Sequence, residues 1–253
     1  MQTFELLDRL ELISPNNTFF TDLRKTILNN DQFALFRLLQ QQTSSQLVEG
    51  LRKYKDNTEF NVDCFSRGQL ESKLWLVKEL QKTKVDLGTV FLCAGWYATL
   101  ATMLFESDIK VDKIRSFDID ETCVDIAETF NKPWVMDNWK FKATTKDIMD
   151  MDYDHYCYKS TRSNGSECEL VDTPNTIINT SCEHIPNFTE WFNKIPDGKL
   201  ILLQSNNYFE VDEHVNCSVD LDDFSRQTLM SSTLYEGELQ LEKYTRFMKI
   251  GYK

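Results

Sequence analysis

The sequence has no apolar run near the ~20 residues that a membrane-spanning helix needs. Its first five residues, MQTFE, lack the basic start and apolar stretch of a signal peptide. The seven cysteines are an odd number and include no CxxC pair. Reduced thiols in the cytosol are the ordinary state of such cysteines. We therefore expect a cytoplasmic protein that does not associate with a membrane.

Positive charge is also scarce. The chain carries 28 Lys and Arg against 40 Asp and Glu, a formal net charge of −12, and it has no dense run of basic residues. Nucleic-acid-binding proteins take much of their affinity from basic side chains that neutralise phosphates. The balance of charge therefore argues against a nucleic acid, and against an anionic membrane surface, as the partner.

What is present is a globular composition. Hydrophobic residues make up 41% of the 253 residues, and the 17 Phe, 9 Tyr and 5 Trp need a core in which to pack. At about 150 residues per domain, this length predicts one to two domains.

The first 84 residues predict an α-helical cap or accessory unit. Apolar side chains recur there at the three- and four-residue spacing of amphipathic helices, and β-branched runs are few. The stretches with this spacing are 4–13, 19–27, 33–39, 47–51 and 69–81.

Residues 85–253 predict an α/β fold. Short apolar strands alternate with helical patterns, which is typical of a Rossmann-like, doubly wound, mostly parallel sheet. The predicted strands are 89–93, 113–118, 140–145, 175–179 and 199–204, and the helices are 98–105, 121–130 and one from 186. Two final strands, 229–235 and 238–248, predict an antiparallel hairpin that turns at Glu236-Gly237. Residues 149–173 predict a long loop between strands, either a surface excursion or a loop that gates the substrate.

Ligands of open α/β sheets bind beyond the carboxyl ends of the strands, so the residues that follow each strand are the candidate site. In strand order these residues are Ala94, Gly95 and Trp96; Asp118 and Ile119; Asp147; Asn179, Ser181, Glu183 and His184; and Asn206, Asn207 and Tyr208.

Five segments in this order resemble the motifs of class I S-adenosylmethionine-dependent methyltransferases, over residues 85–250. They are FLCAGWYATLA, IRSFDIDETCVDIA, ATTKDIMDMD, IINTSCEHIPNF and GKLILLQSNN. The closing hairpin is similar to the antiparallel seventh strand of that family. The whole chain also resembles uncharacterised methyltransferase-like proteins of tailed phages.

The resemblance implies S-adenosylmethionine as the cofactor and assigns residues to it. Gly95 would let the backbone approach the methionine moiety, Asp118 would accept the ribose hydroxyl protons, and Asp147 would face adenine N6. Ala94, Trp96, Ile119 and Asn179 complete this set. The structural alternatives are a turn glycine at 95 and solvated acids at 118 and 147.

The acceptor end of the predicted site centres on His184 and Glu183. A histidine titrates near neutral pH, which suits removal of a proton from an attacking hydroxyl or amine. The alternative is a histidine that packs on a helix and bonds a backbone carbonyl. Ser181, Asn206, Asn207 and Tyr208 are the candidate substrate residues.

Two features set this chain apart from the family pattern. The first motif has one glycine, Gly95, where the family usually has two or three. Cys182, His184, His214 and Cys217 could suit zinc, but their spacing is not a standard one, and Thr180 stands where some related enzymes carry a metal-binding glutamate. We expect no metal.

The sequence thus predicts methyl transfer from S-adenosylmethionine to a small-molecule acceptor. One alternative is transfer of the cofactor's aminopropyl or aminobutyrate arm. The other is a catalytically inactive protein that binds a nucleoside or a protein partner.

Overall fold

The computed structural model describes residues 19–29, 46–54, 60–161 and 165–253. The helices predicted over 4–13 and 33–39 lie outside the described residues. The chain forms two compact units, Met1–Lys55 and Asp56–Lys253. The first unit contains helices α1 (Phe19–Leu28) and α2 (Gln46–Tyr54). The division at 84/85 stays a prediction.

The second unit opens with a 3₁₀ turn (Val62–Phe65) and helix α3 (Arg67–Thr83). Its strands are β1 (Thr89–Cys93), β2 (Lys113–Asp118), β3 (Phe141–Thr145), β4 (Tyr156–Thr161), β5 (Glu167–Asp172), β6 (Thr176–Asn179), β7 (Leu200–Asn206), β8 (Ser232–Gln240) and β9 (Thr245–Tyr252). The other helices are α4 (Thr99–Glu106), α5 (Cys123–Phe130), α6 (Lys132–Met136), α7 (Phe188–Lys194) and α8 (Leu221–Gln227).

Seven of the described strands form one sheet in the order β3-β2-β1-β6-β7-β9-β8. The neighbours from β3 to β7 are parallel, and β9 runs antiparallel to both β7 and β8. The fold class predicted from the sequence is therefore confirmed. Because parallel strands share one direction, β1, β2, β3, β6 and β7 all end at the same edge of the sheet.

The core has two layers, one on each face of the sheet. Val90 and Leu92 of β1 pack into one buried apolar cluster, and Phe91 and Cys93 of the same strand pack into the other. Side chains of a strand alternate between faces, so a sheet covered on both faces needs strands that are apolar at every position. This explains why TVFLC is a continuous apolar run.

The closing hairpin differs from the prediction in its turn. Glu236 and Gly237 lie inside β8, where they pair with Lys249 and Met248 of β9, and the chain turns at Leu241–Tyr244. Strand β8 is an edge strand with alternating exposure. Pairing along the whole of β9 extends β8 past the Glu-Gly pair. The hydrogen-bonded pairing of the two strands therefore outweighs the local turn preference of glycine.

The predicted loop over 149–173 instead holds an antiparallel ribbon of β4 and β5. Asp172, 5% exposed, anchors the ribbon to β2. It accepts hydrogen bonds from Arg115 Nε at 2.6 Å, Lys113 Nζ at 2.9 Å and Tyr158 Oη at 2.8 Å. A buried carboxylate needs such partners to remain charged.

No helix in the described parts of the chain is long and apolar enough to cross a membrane.

Replacing Asp172 by Asn tests this anchor. Removing one partner of a buried ion pair leaves the other charge buried without its counter-ion. We therefore expect Asp172→Asn to lower the free energy of unfolding by about 3 kcal/mol. Chemical denaturation measures this loss. The matched control is Lys110→Met, which breaks the exposed ion pair with Asp86 and should cost less than about 1 kcal/mol. Equal costs for the two variants would contradict the anchor.

The same ion pair predicts a loss of stability in acid. Burial alone would raise the pKa of Asp172, but the hydrogen bond from Lys113 and the charge of Arg115 lower it overall. A lowered carboxyl pKa adds stability above the unfolded-state value and loses it as the pH falls through the folded-state value. The contribution is thus lost below about pH 4. Unfolding free energies measured against pH should fall less steeply in Asp172→Asn than in the wild type.

Candidate active site

A cavity of about 1290 Å³ lies at the edge where the parallel strands end. Its wall comes from the turns after β1, β2, β3, β6 and β7, together with α3 and the turn between β8 and β9. Single-ligand pockets usually measure about 300–1,000 Å³. This cavity therefore has room for two ligands side by side.

Most of the residues predicted for the site line this cavity. They are Ala94, Gly95, Trp96, Asp118, Ile119, Asp147, Ser181, Glu183, His184, Asn206 and Tyr208. Asn179 and Asn207 are not among the residues that line it. Asn179 is fully buried and accepts a hydrogen bond from Ser181 N at 2.8 Å, and Asn207 accepts one from Thr245 N at 2.8 Å. Both amides hold the ends of strands.

The turn after β1 has an unusual backbone. Ala94, Trp96 and Ala98 all have a φ near +50°, in the left-handed region that favours glycine. Such a conformation costs about 1–3 kcal/mol for each non-glycine residue, so its surroundings must hold it in place. The turn thus has the shape of a glycine-rich loop with one glycine.

Gly95 itself is needed for packing against β2. A Cβ at this position would overlap Ser116 Oγ and would lie 3.2 Å from Leu92 Cγ. Gly95 N also donates to the carbonyl of Phe117 at 2.9 Å. The steric need for glycine at this position comes from the neighbouring strand, and its role toward a ligand stays a prediction.

Aromatic stacking covers the outside of this turn. Tyr97 is buried, and its ring stacks on Trp96 at 4.9 Å and on Phe60 at 5.3 Å between centroids. Its hydroxyl accepts a hydrogen bond from Asn61 N at 3.2 Å. The segment before α3 is therefore fastened to the turn after β1.

Asp118 holds the same turn in place through hydrogen bonds to its carboxylate. Its Oδ2 accepts a hydrogen bond from Trp96 N at 2.7 Å, and its Oδ1 accepts one from Asp120 N at 3.1 Å. Burial raises the pKa of this carboxyl group. The backbone N–H of Ile119 also interacts with this carboxylate. A carboxylate has about four acceptor positions, so one is left beyond these three interactions. Ile119 next to it is 74% exposed.

Asp147 caps the short 3₁₀ turn Ile148–Asp150 after β3. Its Oδ1 accepts a hydrogen bond from Met149 N at 2.8 Å. Asp147 thus holds its own turn through one carboxylate oxygen.

A buried polar network forms the other half of the cavity. Glu183, 2% exposed, accepts a hydrogen bond from Asn206 Nδ2 at 2.7 Å and forms an ion pair with Arg246 Nη2 at 3.3 Å, both through Oε1. Asn206 uses its own Oδ1 to accept from Tyr208 N at 2.8 Å. Asn206 thus positions Glu183.

His184 lies at the exposed rim, beside His214, with 4.7 Å between the ring centroids. Their Nδ1 atoms lie 3.1 Å from the carbonyl of Glu213 and 2.7 Å from that of Tyr208, respectively. A carbonyl only accepts, so each Nδ1 carries the proton and each Nε2 presents a lone pair. Desolvation lowers the pKa of His184 below 6.5, and the charge of His214 adds to this effect, while Glu183 opposes it.

Glu183, His184 and His214 also place one ligand atom each within 4.8 Å of one another. Imidazole and carboxylate groups are ordinary ligands of divalent cations, and imidazoles held by backbone carbonyls suit that role. Cys182 and Cys217 are not in this set, because their thiols lie against the carbonyls of Asn179 and Tyr208. The sequence led us to expect no metal, but it could not show that His214 reaches His184.

Other cavity residues were missed. Lys73 of α3, Arg246 of β9 and Tyr244 before it all line the wall. They follow no strand of the parallel set, so the rule that ligands bind at carboxyl ends does not select them. Only the docking of α3 and the antiparallel course of β9 place them there.

No protein-family profile and no curated protein sequence matches this chain. Among solved structures, it is similar to the N-methyltransferase NodS of Bradyrhizobium japonicum WM9 in complex with S-adenosyl-L-homocysteine, with a TM-score of 0.56 and 8% identity over 83% of this chain and 99% of that one. The chain has the class I methyltransferase fold.

Two further structures have the same fold. The MccD protein matches with a TM-score of 0.51 and 11% identity over 74% of this chain and 97% of that one. The small RNA methyltransferase HEN1 matches with a TM-score of 0.52 and 12% identity over 78% of this chain and 27% of that one.

The packing of Gly95 is tested by Gly95→Ala. The added Cβ meets Ser116 Oγ, so we expect the free energy of unfolding to fall by about 1–3 kcal/mol. In a Ser116→Ala background the same change should cost less, since the hydroxyl is gone. Chemical denaturation measures both costs. Equal costs of Gly95→Ala in the two backgrounds would show that the Ser116 hydroxyl is not what excludes a Cβ at position 95.

The titration of His184 tests the histidine pair. We expect the pKa of His184 to lie below 6.5 and to rise in His214→Ala, because that change removes a neighbouring positive charge and admits water. NMR of the imidazole carbons against pH measures both values. His155→Ala is the control, since His155 is exposed and outside the pair. An unchanged pKa in His214→Ala would show that the rings do not interact.

Proposed function

We propose that the protein transfers the methyl group of S-adenosylmethionine to a small-molecule acceptor in the cytoplasm. The observation that carries this proposal is the two-part cavity. Acids that follow β2 and β3 lie on one side of it, and Glu183 and His184, which follow β6, lie on the other. The sheet order separates the two halves, because β1 lies between β2 and β6.

The cofactor half fits a nucleoside. Asp118 keeps a free acceptor position for a ribose hydroxyl, and Asp147 keeps one carboxylate oxygen for an exocyclic amine. The turn after β1 passes between them and the centre of the sheet, where it would cradle the amino-acid portion. That NodS, with the same fold, was solved with S-adenosyl-L-homocysteine supports this choice of ligand.

The chemistry asks little of the protein beyond alignment. Bound S-adenosylmethionine supplies an electrophilic methyl carbon on a positively charged sulfur. The cavity walls hold the acceptor in line with that carbon and exclude water. His184 Nε2 takes the proton that a hydroxyl or amine acceptor loses, and the nearby charge of Glu183 stabilises the resulting imidazolium.

A small acceptor suits the chain better than a nucleic acid. The net charge of −12 and the lack of a dense run of basic residues in the sequence disfavour binding to a phosphate backbone. The acceptor half is also walled in by α3 and the turn between β8 and β9.

Calorimetric binding of S-adenosylmethionine and S-adenosylhomocysteine is the first test. We expect micromolar binding to the wild type, and at least tenfold weaker binding to Asp118→Asn, because an amide nitrogen cannot accept a ribose hydroxyl. Asp120→Asn is the matched control, since Asp120 caps its own turn outside the cavity. Failure of the folded wild type to bind either compound would overturn the proposal.

The co-product then identifies the transferred group. Incubation with S-adenosylmethionine and a pool of small metabolites should release S-adenosylhomocysteine if the methyl group moves. Release of methylthioadenosine would indicate transfer of the aminobutyrate arm, and the same assay with decarboxylated S-adenosylmethionine as the donor tests transfer of the aminopropyl arm. Binding with neither product would favour a protein that only binds the nucleoside.

A further inference from the structure

Two buried cationic side chains face the acceptor half of the cavity. Lys73 of α3 is 7% exposed and Arg246 of β9 is 3% exposed, and both line the wall. Lysine and arginine are almost never this deeply buried unless they are paired with an opposite charge. Their partners therefore decide what this part of the cavity can bind.

Arg246 is only partly satisfied. Its Nη2 donates to the carbonyl of Thr180 and forms the ion pair with Glu183, but its Nε is buried with no partner. Lys73 has even fewer partners. Among the described residues its ammonium group donates one hydrogen bond, to Gln69 Oε1, out of the three that it can make.

Charge is also out of balance at this place. The charged and titratable groups that act on Lys73 are Arg246, Cys64, Asp63 and Glu183. Of the two acids, Asp63 is exposed and Glu183 already pairs with Arg246. Two buried cations thus share one buried carboxylate. Burial, with the charge of Arg246, lowers the pKa of Lys73 to about 7.

The two cations are held rigidly. Gln204 Nε2 of β7 donates to the carbonyl of Ser72 at 2.9 Å, which fixes the turn of α3 that carries Lys73. Two residues further along β7, Asn206 pairs with Arg246 in the antiparallel ladder. Both side chains are therefore placed by the same strand, next to the Glu183 network.

We propose that Lys73 and Arg246 bind an anionic oxygen group, a carboxylate or a phosphate, on the acceptor molecule. The free donors of Lys73 supply hydrogen bonds to it, and its negative charge offsets the excess positive charge. The term acceptor rests on the proposed methyl transfer, but the anion site itself does not. The site would select acidic acceptors over neutral ones of the same shape.

Binding should depend on pH in a defined direction. An anion favours the protonated form of Lys73, so binding takes up a proton where Lys73 is partly neutral. The affinity should fall as the pH rises above about 7. Since His184 and His214 line the same cavity, the share that belongs to Lys73 is the part that disappears in Lys73→Gln.

The test is titration of the full chain with acetate, inorganic phosphate and neutral acetamide at constant ionic strength, followed by NMR or calorimetry. We expect one saturable anion site in the wild type, no binding of acetamide, and at least tenfold weaker binding in Lys73→Gln. The preferred anion, acetate or phosphate, identifies the acid group. Lys78→Gln, on the exposed face of α3, is the matched control and should bind like the wild type.

Other outcomes would overturn the proposal. These are the absence of saturable anion binding by the wild type, equal binding of acetate and acetamide, or unchanged affinity in Lys73→Gln. Arg246→Lys keeps the positive charge but loses the planar set of guanidinium N–H donors, so this variant should bind the anion more weakly. Because Arg246 also holds Thr180 and Glu183, that variant can unfold, and Lys73→Gln then decides alone.

Binding of S-adenosylhomocysteine to the same variants separates this proposal from the proposed function. It should be unchanged in Lys73→Gln, since the charges that act on Lys73 include those of Arg246 and Glu183, which belong to the acceptor half. A protein that binds anions but no S-adenosylhomocysteine would retain the anion site and lose the methyl-transfer proposal. A protein that binds S-adenosylhomocysteine but no anion would contradict only the proposed anion site.

Discussion

The carboxylate of Glu183 connects the three strands on which the acceptor half of the cavity depends. Glu183 follows β6, its amide partner Asn206 ends β7, and its ion-pair partner Arg246 begins β9. Truncating Asn206 or Arg246 would leave a buried charge short of partners, which costs several kcal/mol in typical proteins. The position of His184, one residue along, follows from this network, and so does the direction in which Arg246 faces. The acceptor half is therefore built around one buried negative charge.

The arrangement of the sheet was predictable because burial on both faces leaves a local signal. Short continuous apolar runs such as TVFLC and LILL are typical of central strands, and the helices between them follow from their spacing. The turn of the last hairpin was predicted wrongly because a Glu-Gly pair is a weak local signal and the ladder with β9 is a long-range one. The ribbon of β4 and β5 was missed for the same reason, since Asp172 acts through partners on a distant strand.

The candidate site was predictable only as a set of positions. A residue after a parallel strand lies near the cavity, but its sequence does not show whether its side chain faces the cavity or holds the backbone. The side chains of Asn179 and Asn207 hold the backbone, whereas Glu183 and Tyr208 line the wall of the cavity. Net charge was an equally coarse guide. The value of −12 is a sum over the whole chain, and it does not show that Lys73 and Arg246 place two positive charges inside the protein.

The turn after β1 has a consequence for ligand binding. Its left-handed residues are held by the carboxylate of Asp118 and by the stacked rings of Trp96, Tyr97 and Phe60, where a loop of several glycines would be free to move. A loop that is already ordered has little conformational entropy left to lose when a ligand arrives. The same stiffness leaves little room to adapt, so this turn should discriminate sharply among ligands whose parts that contact it differ slightly in shape.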